Sequence, residues 1–74
     1  MHIAKMTTNY PEFHGTGYYN FLMATTRDEL EGLIEDNLHD FSLAGIVKTR
    51  HQSVDNIVKL YPSRQQLNDK YFKG

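Results

Sequence analysis

Thr26 to Leu38 is the stretch that most narrows what this chain can fold into. Thr26 and Glu29 form the Thr-x-x-Glu pattern of a capping box, in which side chains satisfy backbone N–H groups left free by the first helical turn. Asp28, Glu29 and Glu31 add negative charge at the positive end of the helix dipole. Leu30, Leu33, Ile34 and Leu38 fall at i, i+3, i+4 and i+8 and make one apolar stripe. Gly32 costs about 1 kcal/mol of helix propensity against Ala but leaves the stripe intact. The spacing predicts a helix over Arg27 to Leu38. A helix with a single apolar stripe needs an apolar surface to lie on. The segments around it mostly carry strand patterns, so that surface is expected to be a sheet.

His2 to Thr8 holds β-branched residues in loose alternation and reads as a short strand. Asn9 to Gly17 reads as a loop. Pro11 restricts Tyr10 to extended conformations, and Gly15 and Gly17 permit the positive φ of a turn. Tyr18 to Ala24 is aromatic and apolar on both alternating faces, as in a strand covered on two sides or next to a partner surface. Phe41, Leu43, Gly45, Val47 and Thr49 alternate with Ser42, Ala44, Ile46, Lys48 and Arg50, which predicts another strand. Val54 to Tyr61 satisfies two patterns. Val54, Ile57, Val58 and Tyr61 have helical spacing behind a capping Ser53, whereas Ile-Val-Lys-Leu-Tyr is strand-like by residue type. The shortness of the segment and its stop at Pro62 favour a strand, with Arg50 to Ser53 as a hairpin tip. A helical reading instead gives two helices joined at Pro62. Ser63 and Gln66 form a second capping-box pattern, opening a helix to about Phe72 with Leu67 and Tyr71 inward.

The resulting order is β-β-α-β-β-α. It predicts a single small α+β domain over residues 1–74, with a mainly antiparallel sheet of about four strands and two helices on one face. The 74 residues contain no cysteine, so neither disulfides nor thiolate zinc can staple the fold. A core of this size supplies only ~3–5 kcal/mol of net stability, and a homodimer is one route to more. No apolar run nears the ~18 residues of a membrane span. Met1 to Tyr10 lacks the apolar stretch of a signal peptide, so the expected location is the cytoplasm.

A formal net charge of −1 hides a division. Glu12 to Asp40 carries seven acids against Arg27 alone, whereas Phe41 to Gly74 carries six bases against Asp55 and Asp69. Charge asymmetry of this kind marks binding surfaces, although solvated faces also produce it. The candidates for chemistry are sparse. Glu35 and His39 stand at i, i+4, half of a metal site, but no second pair completes it, and no metal or cofactor is expected. His14-Gly15-Thr16-Gly17 precedes a strand rather than the helix a phosphate loop requires. Gly17-Tyr18-Tyr19-Asn20-Phe21 has aromatics like those on which RNA bases stack, without the preceding Lys or Arg. No catalytic residue is assigned, and a binding protein is expected rather than an enzyme.

The leading expectation is a protein-binding module that uses the acidic helix face, Asp28, Glu31, Glu35 and Asp36, with Tyr10, Phe13 and Tyr18 as aromatic anchors. Carboxylates on a rigid helix suit a basic groove such as that of a nucleic-acid-processing enzyme, because Arg and Lys placed for phosphates also accept carboxylates. Small inhibitors and accessory factors of phages and mobile elements, which act on host proteins, are the analogy. The alternative is a nucleic-acid-binding module using Lys48, Arg50, Lys59 and Arg64. Six bases in the last 34 residues are not dense, and an isoelectric point near 6.4 is far from the strongly basic value typical of that class.

Overall fold

The computed structural model describes residues 1–16 and 18–73. Gly17, expected in the first turn, lies outside the described residues; Gly15 does adopt positive φ, at 80°. The chain runs β1 (His2–Thr8), a 3-10 turn (Pro11–Phe13), β2 (Tyr19–Ala24), α1 (Arg27–Asn37), β3 (Phe41–Lys48), α2 (Val54–Leu60) and α3 (Arg64–Tyr71). The strands form one sheet in the order β2-β1-β3, with β1 antiparallel to both neighbours. The edge strands are therefore parallel to each other, and α1 carries the chain from one edge to the other.

The α+β class and the antiparallel sheet agree with the sequence reading, whereas the four-strand count does not. Val54–Leu60 is a helix. Ser53 caps it by accepting from the Asn56 N–H, and Pro62 follows its end. The hairpin tip at Arg50 to Ser53 is a β3–α2 connection instead. Only Ile57 of α2 is buried; Val54, Val58 and Leu60 are exposed. A helix needs only one apolar residue per turn against the sheet, so the β-branched content of the segment did not decide its conformation.

The helices also cover both faces rather than one. Alternation along β1 divides its side chains between two cores. Ala4 and Met6 pack with Ala24, Leu30 and Ile34 beneath α1, with Leu22, Phe41 and Ile46 partly buried around them. Met1 and Ile3 pack with Ile57 and Leu67 beneath α2 and α3, joined by Phe21, Met23, Val47, Tyr61, Tyr71 and Phe72. The two-sided apolar pattern of β2 has this cause. On the α2–α3 face Lys5 keeps its ammonium satisfied through Asn68, near the Tyr19 ring.

Thr26 caps α1 as expected and accepts from the Glu29 N–H. The α1 stripe is half used: Leu30 and Ile34 are buried, but Leu33 is 38% and Leu38 49% exposed. α1 ends at Asn37, so His39 lies in the following turn and does not share a helix face with Glu35. Ser63 and Gln66 complete the second capping box, at the start of α3.

β3 departs from simple alternation. Lys5 pairs with Gly45 and Met6 with Leu43, so Ala44 is an extra residue, a β-bulge. Before the bulge Phe41 and Leu43 lie on the α1 side; after it Ile46 does, while Gly45 and Val47 turn to the other side. Gly45 lets the Phe72 ring pack close to the strand: a Cβ there would sit 3.3 Å from the ring, which would have to give by a few tenths of an ångström. The other sheet edge is guarded by Arg64, whose guanidinium donates to the Tyr19 carbonyl.

Helical α2 makes a specific demand on stability. Ile57→Ala should cost about 2–5 kcal/mol, seen as a large fall in the urea midpoint or loss of the folded state. Val58→Ala, at an exposed position, should stay within about 0.5 kcal/mol. Similar losses at both positions would contradict the one-sided burial of α2.

Candidate functional site: an acidic groove and an aromatic end

α1 lies over β1 and β2 and touches β3 least, which leaves the α1-side face of β3 partly bare. The space between them is a groove of about 550 Å³, open to solvent. Ile34, Leu43 and Ile46 supply its apolar lining, and Leu43 is 45% exposed. Asp28, Glu31 and Glu35 stand along the opposite wall with Arg27 and Gly32. Helical geometry aligns them, because positions 28, 31, 32 and 35 fall on one stripe at ~3.6 residues per turn. Arg27 pairs with Glu31 across one turn at 3.1 Å, an exposed ion pair worth little to stability. The lining charges, three carboxylates against one guanidinium, leave the groove with −2. A Cβ on Gly32 would meet nothing within 4 Å, so the glycine keeps the wall low without being needed for packing.

Three of the four predicted acids thus share one groove. Asp36 does not join them; it sits about 100° further round the helix and faces solvent.

The three predicted aromatics come together at the far end of the sheet, and Phe41 joins them. Phe13 and Tyr18 have ring centroids 5.1 Å apart, and Tyr18 stacks on Phe41 at 6.0 Å. Thr8 is buried between flanking clefts of about 280 and 260 Å³. The loop after β1 is tied down at several points. The Tyr10 N–H donates to Thr8 Oγ1, and the Asn9 N–H donates to the Asp40 carbonyl at 2.8 Å. The His14 ring meets the Thr8 carbonyl at 3.1 Å. The Asn9 amide donates to the Leu38 and His39 carbonyls and accepts from Ser42, which fixes the turn between α1 and β3. The Tyr10 hydroxyl donates to Asp40 at 2.6 Å. That hydrogen bond, and then the Asp40 charge, raise the Tyr10 phenol above its ordinary value of 10.

Phe41 and Leu43 lie on the same face of β3, so they connect the aromatic cluster to the groove floor. Sequence reasoning missed Leu43 and Ile46 as surface residues, because strict alternation sets them on opposite faces. The bulge at Ala44 reverses that assignment, and Gly45 beside it, an isolated glycine inside a strand pattern, is the signal that could have found it.

The four predicted bases do not form one surface. Lys48 and Arg50 lie together at the end of β3, where Lys70 joins them. Arg64 is held against Tyr19, which pairs with Thr7 at the opposite end of the sheet. Lys59 is exposed on α2, outside the lining of that cleft.

Among the described residues no three metal-ligating side chains cluster, and no helix is long and apolar enough to cross a membrane. The chain matches no family model, no curated protein and no solved structure.

Asp40→Asn removes the negative charge beside the Tyr10 phenol. The Tyr10 ring resonance, followed by NMR against pH, should then titrate lower, back toward 10. An unchanged titration would mean that Asp40 does not hold this end of the site.

Proposed function

We propose that this protein is a non-enzymatic binding module that acts on a partner protein through the groove between α1 and β3. The observation that supports it is the juxtaposition of Asp28, Glu31 and Glu35 with the exposed Leu43 and half-buried Ile46, over a base closed by the buried Ile34. An apolar strip beside a row of carboxylates complements a basic amphipathic segment, whose apolar side chains fill the floor while its Arg or Lys meet the wall. The adjoining Tyr10, Phe13, Tyr18 and Phe41 extend the apolar contact with aromatic side chains of the kind that anchor interfaces. Interfaces of this kind concentrate their energy in a few desolvated anchors, and Leu43 and Phe41 fill that role here. Steering by the acidic wall speeds encounter with a basic partner and weakens with salt. An inhibitor or accessory factor directed at a nucleic-acid-processing enzyme is the kind of protein this surface suits, since such enzymes present basic grooves.

The test uses two variants that attack the groove differently. Glu31→Lys with Glu35→Lys reverses charge at exposed positions. Gly32→Leu fills the groove while improving helix propensity, so lost binding cannot be blamed on unfolding. The intact chain, tagged, should retain a partner from a nuclease-treated lysate, and both variants should release it at unchanged melting temperature. Equal retention by all three would remove the groove from the interface.

A further inference from the structure

A second concave surface lies where β3 runs into α2 and α3. The end of β3, the end of α2 and the last turn of α3 enclose a cleft of about 430 Å³, within the range of about 300–1,000 Å³ for small-molecule sites. Lys48, Arg50 and Lys70 line it without any carboxylate, together with Thr49, His51, Leu60, Tyr61 and Tyr71. Among the described residues, none of these three cations has an ion-pair partner. The nearby Asp69 is engaged elsewhere, with Lys73 at 3.7 Å and with Gln65.

The cleft also holds aromatic rings in fixed relation. Tyr61 and Tyr71 meet edge to face at 5.5 Å, and His51 approaches Tyr61 at 6.4 Å. Both tyrosines are half-buried, so their rings are braced by the second core while part of each remains open. Burial, then the neighbouring Tyr61, raise the Tyr71 phenol, while the Arg50 guanidinium pulls it the other way, so Arg50 lies within electrostatic reach of this ring. The connection bearing Arg50 is anchored. The Thr49 N–H donates to the Met1 carbonyl at 2.9 Å, and Thr49 Oγ1 accepts from the His51 N–H at 3.1 Å.

Unpaired cations without a carboxylate favour an anion, and Arg in particular takes phosphate in a two-pronged hydrogen bond. Braced aromatic rings beside them favour a flat π-system. A nucleotide unites these two properties in one ligand of this size. We propose that the cleft binds a nucleotide, with its phosphate on Arg50, Lys48 and Lys70 and its base against Tyr61 and Tyr71. This surface is separate from the acidic groove, so the assignment stands or falls independently of it. The nucleotide could be free or one unit of a single strand, and the contacts are the same in both cases.

The experiment is an NMR titration of the full chain with adenosine 5′-monophosphate, adenosine, inorganic phosphate and an eight-residue oligothymidylate. The monophosphate should shift the Arg50, His51, Tyr61 and Tyr71 resonances saturably. Adenosine and phosphate alone should each bind at least about tenfold more weakly, since each lacks either the charged contacts or the stacked base. Arg50→Ala with Lys70→Ala, both at exposed positions, should weaken the monophosphate about tenfold or more at unchanged melting temperature. An oligothymidylate that binds tenfold tighter through the same residues, with steep salt dependence, identifies a strand as the source; equal affinity identifies the free nucleotide. The proposal is overturned if neither the monophosphate nor the oligothymidylate gives saturable shifts, if phosphate or adenosine alone binds as tightly as the monophosphate, or if the double variant binds like the parent.

Discussion

The two-sided burial of β1 is the constraint on which the rest of the structure depends. Ile3, Ala4 and Met6 have no exposed surface, and they face alternately into the two cores. β1 also supplies every ladder hydrogen bond of the sheet, because β2 and β3 pair with it and not with each other. Neither core is large. Each has four or five buried residues, too few to stabilise an independent unit by the usual area argument. They are viable together because one strand serves as the wall of both. Damage to β1 therefore removes both cores at once, whereas damage at Leu67 or Ile34 acts first on one.

Placement of α1 follows from the same economy. Leu30 and Ile34 reach the small Ala4 and Ala24 and the long Met6 near the β1–β2 side. A short helix centred there cannot also cover β3, and the uncovered strip becomes the groove. The Ala44 bulge then decides what that strip contains. Were the same residues to alternate regularly without the bulge, Phe41 and Leu43 would face α2 and α3, and the groove floor would hold Ser42 and Ala44. One inserted residue thus brings Leu43 beside Ile46 and aligns Phe41 with Tyr18.

Legibility of the sequence tracked how local each signal was. α1 and α3 announce themselves through capping-box patterns and both helices formed where expected, although only the Ser63–Gln66 box closes in both directions; at α1 Thr26 accepts from the Glu29 N–H while the Glu29 carboxylate accepts from Thr25. The three strands were also legible, from alternation and residue type. α2 was not, because Ile57 and Val58 favour extended backbone while the deciding factor, a place for Ile57 against Ile3 and Met1, is set by tertiary packing. The apolar pattern on both faces of β2 did carry the information that helices lie on both sides of the sheet. That information conflicts with the reading that set both helices on one face and left the other bare. For the site, charge pattern and helical geometry sufficed to group Asp28, Glu31 and Glu35. Leu43, Ile46 and Lys70 lay beyond it, since their neighbours come from the bulge and from long-range docking of α3.

The separation of charge along the chain becomes in part a separation in space, with a net negative charge at one concave surface and a positive charge at the other. The acidic wall stands on α1, above one face of the sheet; the cationic cleft opens where β3 runs into α2 and α3, below the other. No helix contacts both surfaces, but β3 does, with Leu43 and Ile46 in the groove and Lys48 at the mouth of the cleft. Binding at either surface stabilises the folded state, by about 2.7 kcal/mol at a hundredfold excess over Kd, which is comparable to the ~3–5 kcal/mol a core of this size provides. Because both cores share β1, that stabilisation is felt through the whole domain. A ligand bound on one side would thus stabilise the core beneath the other, because β1 is a wall of both.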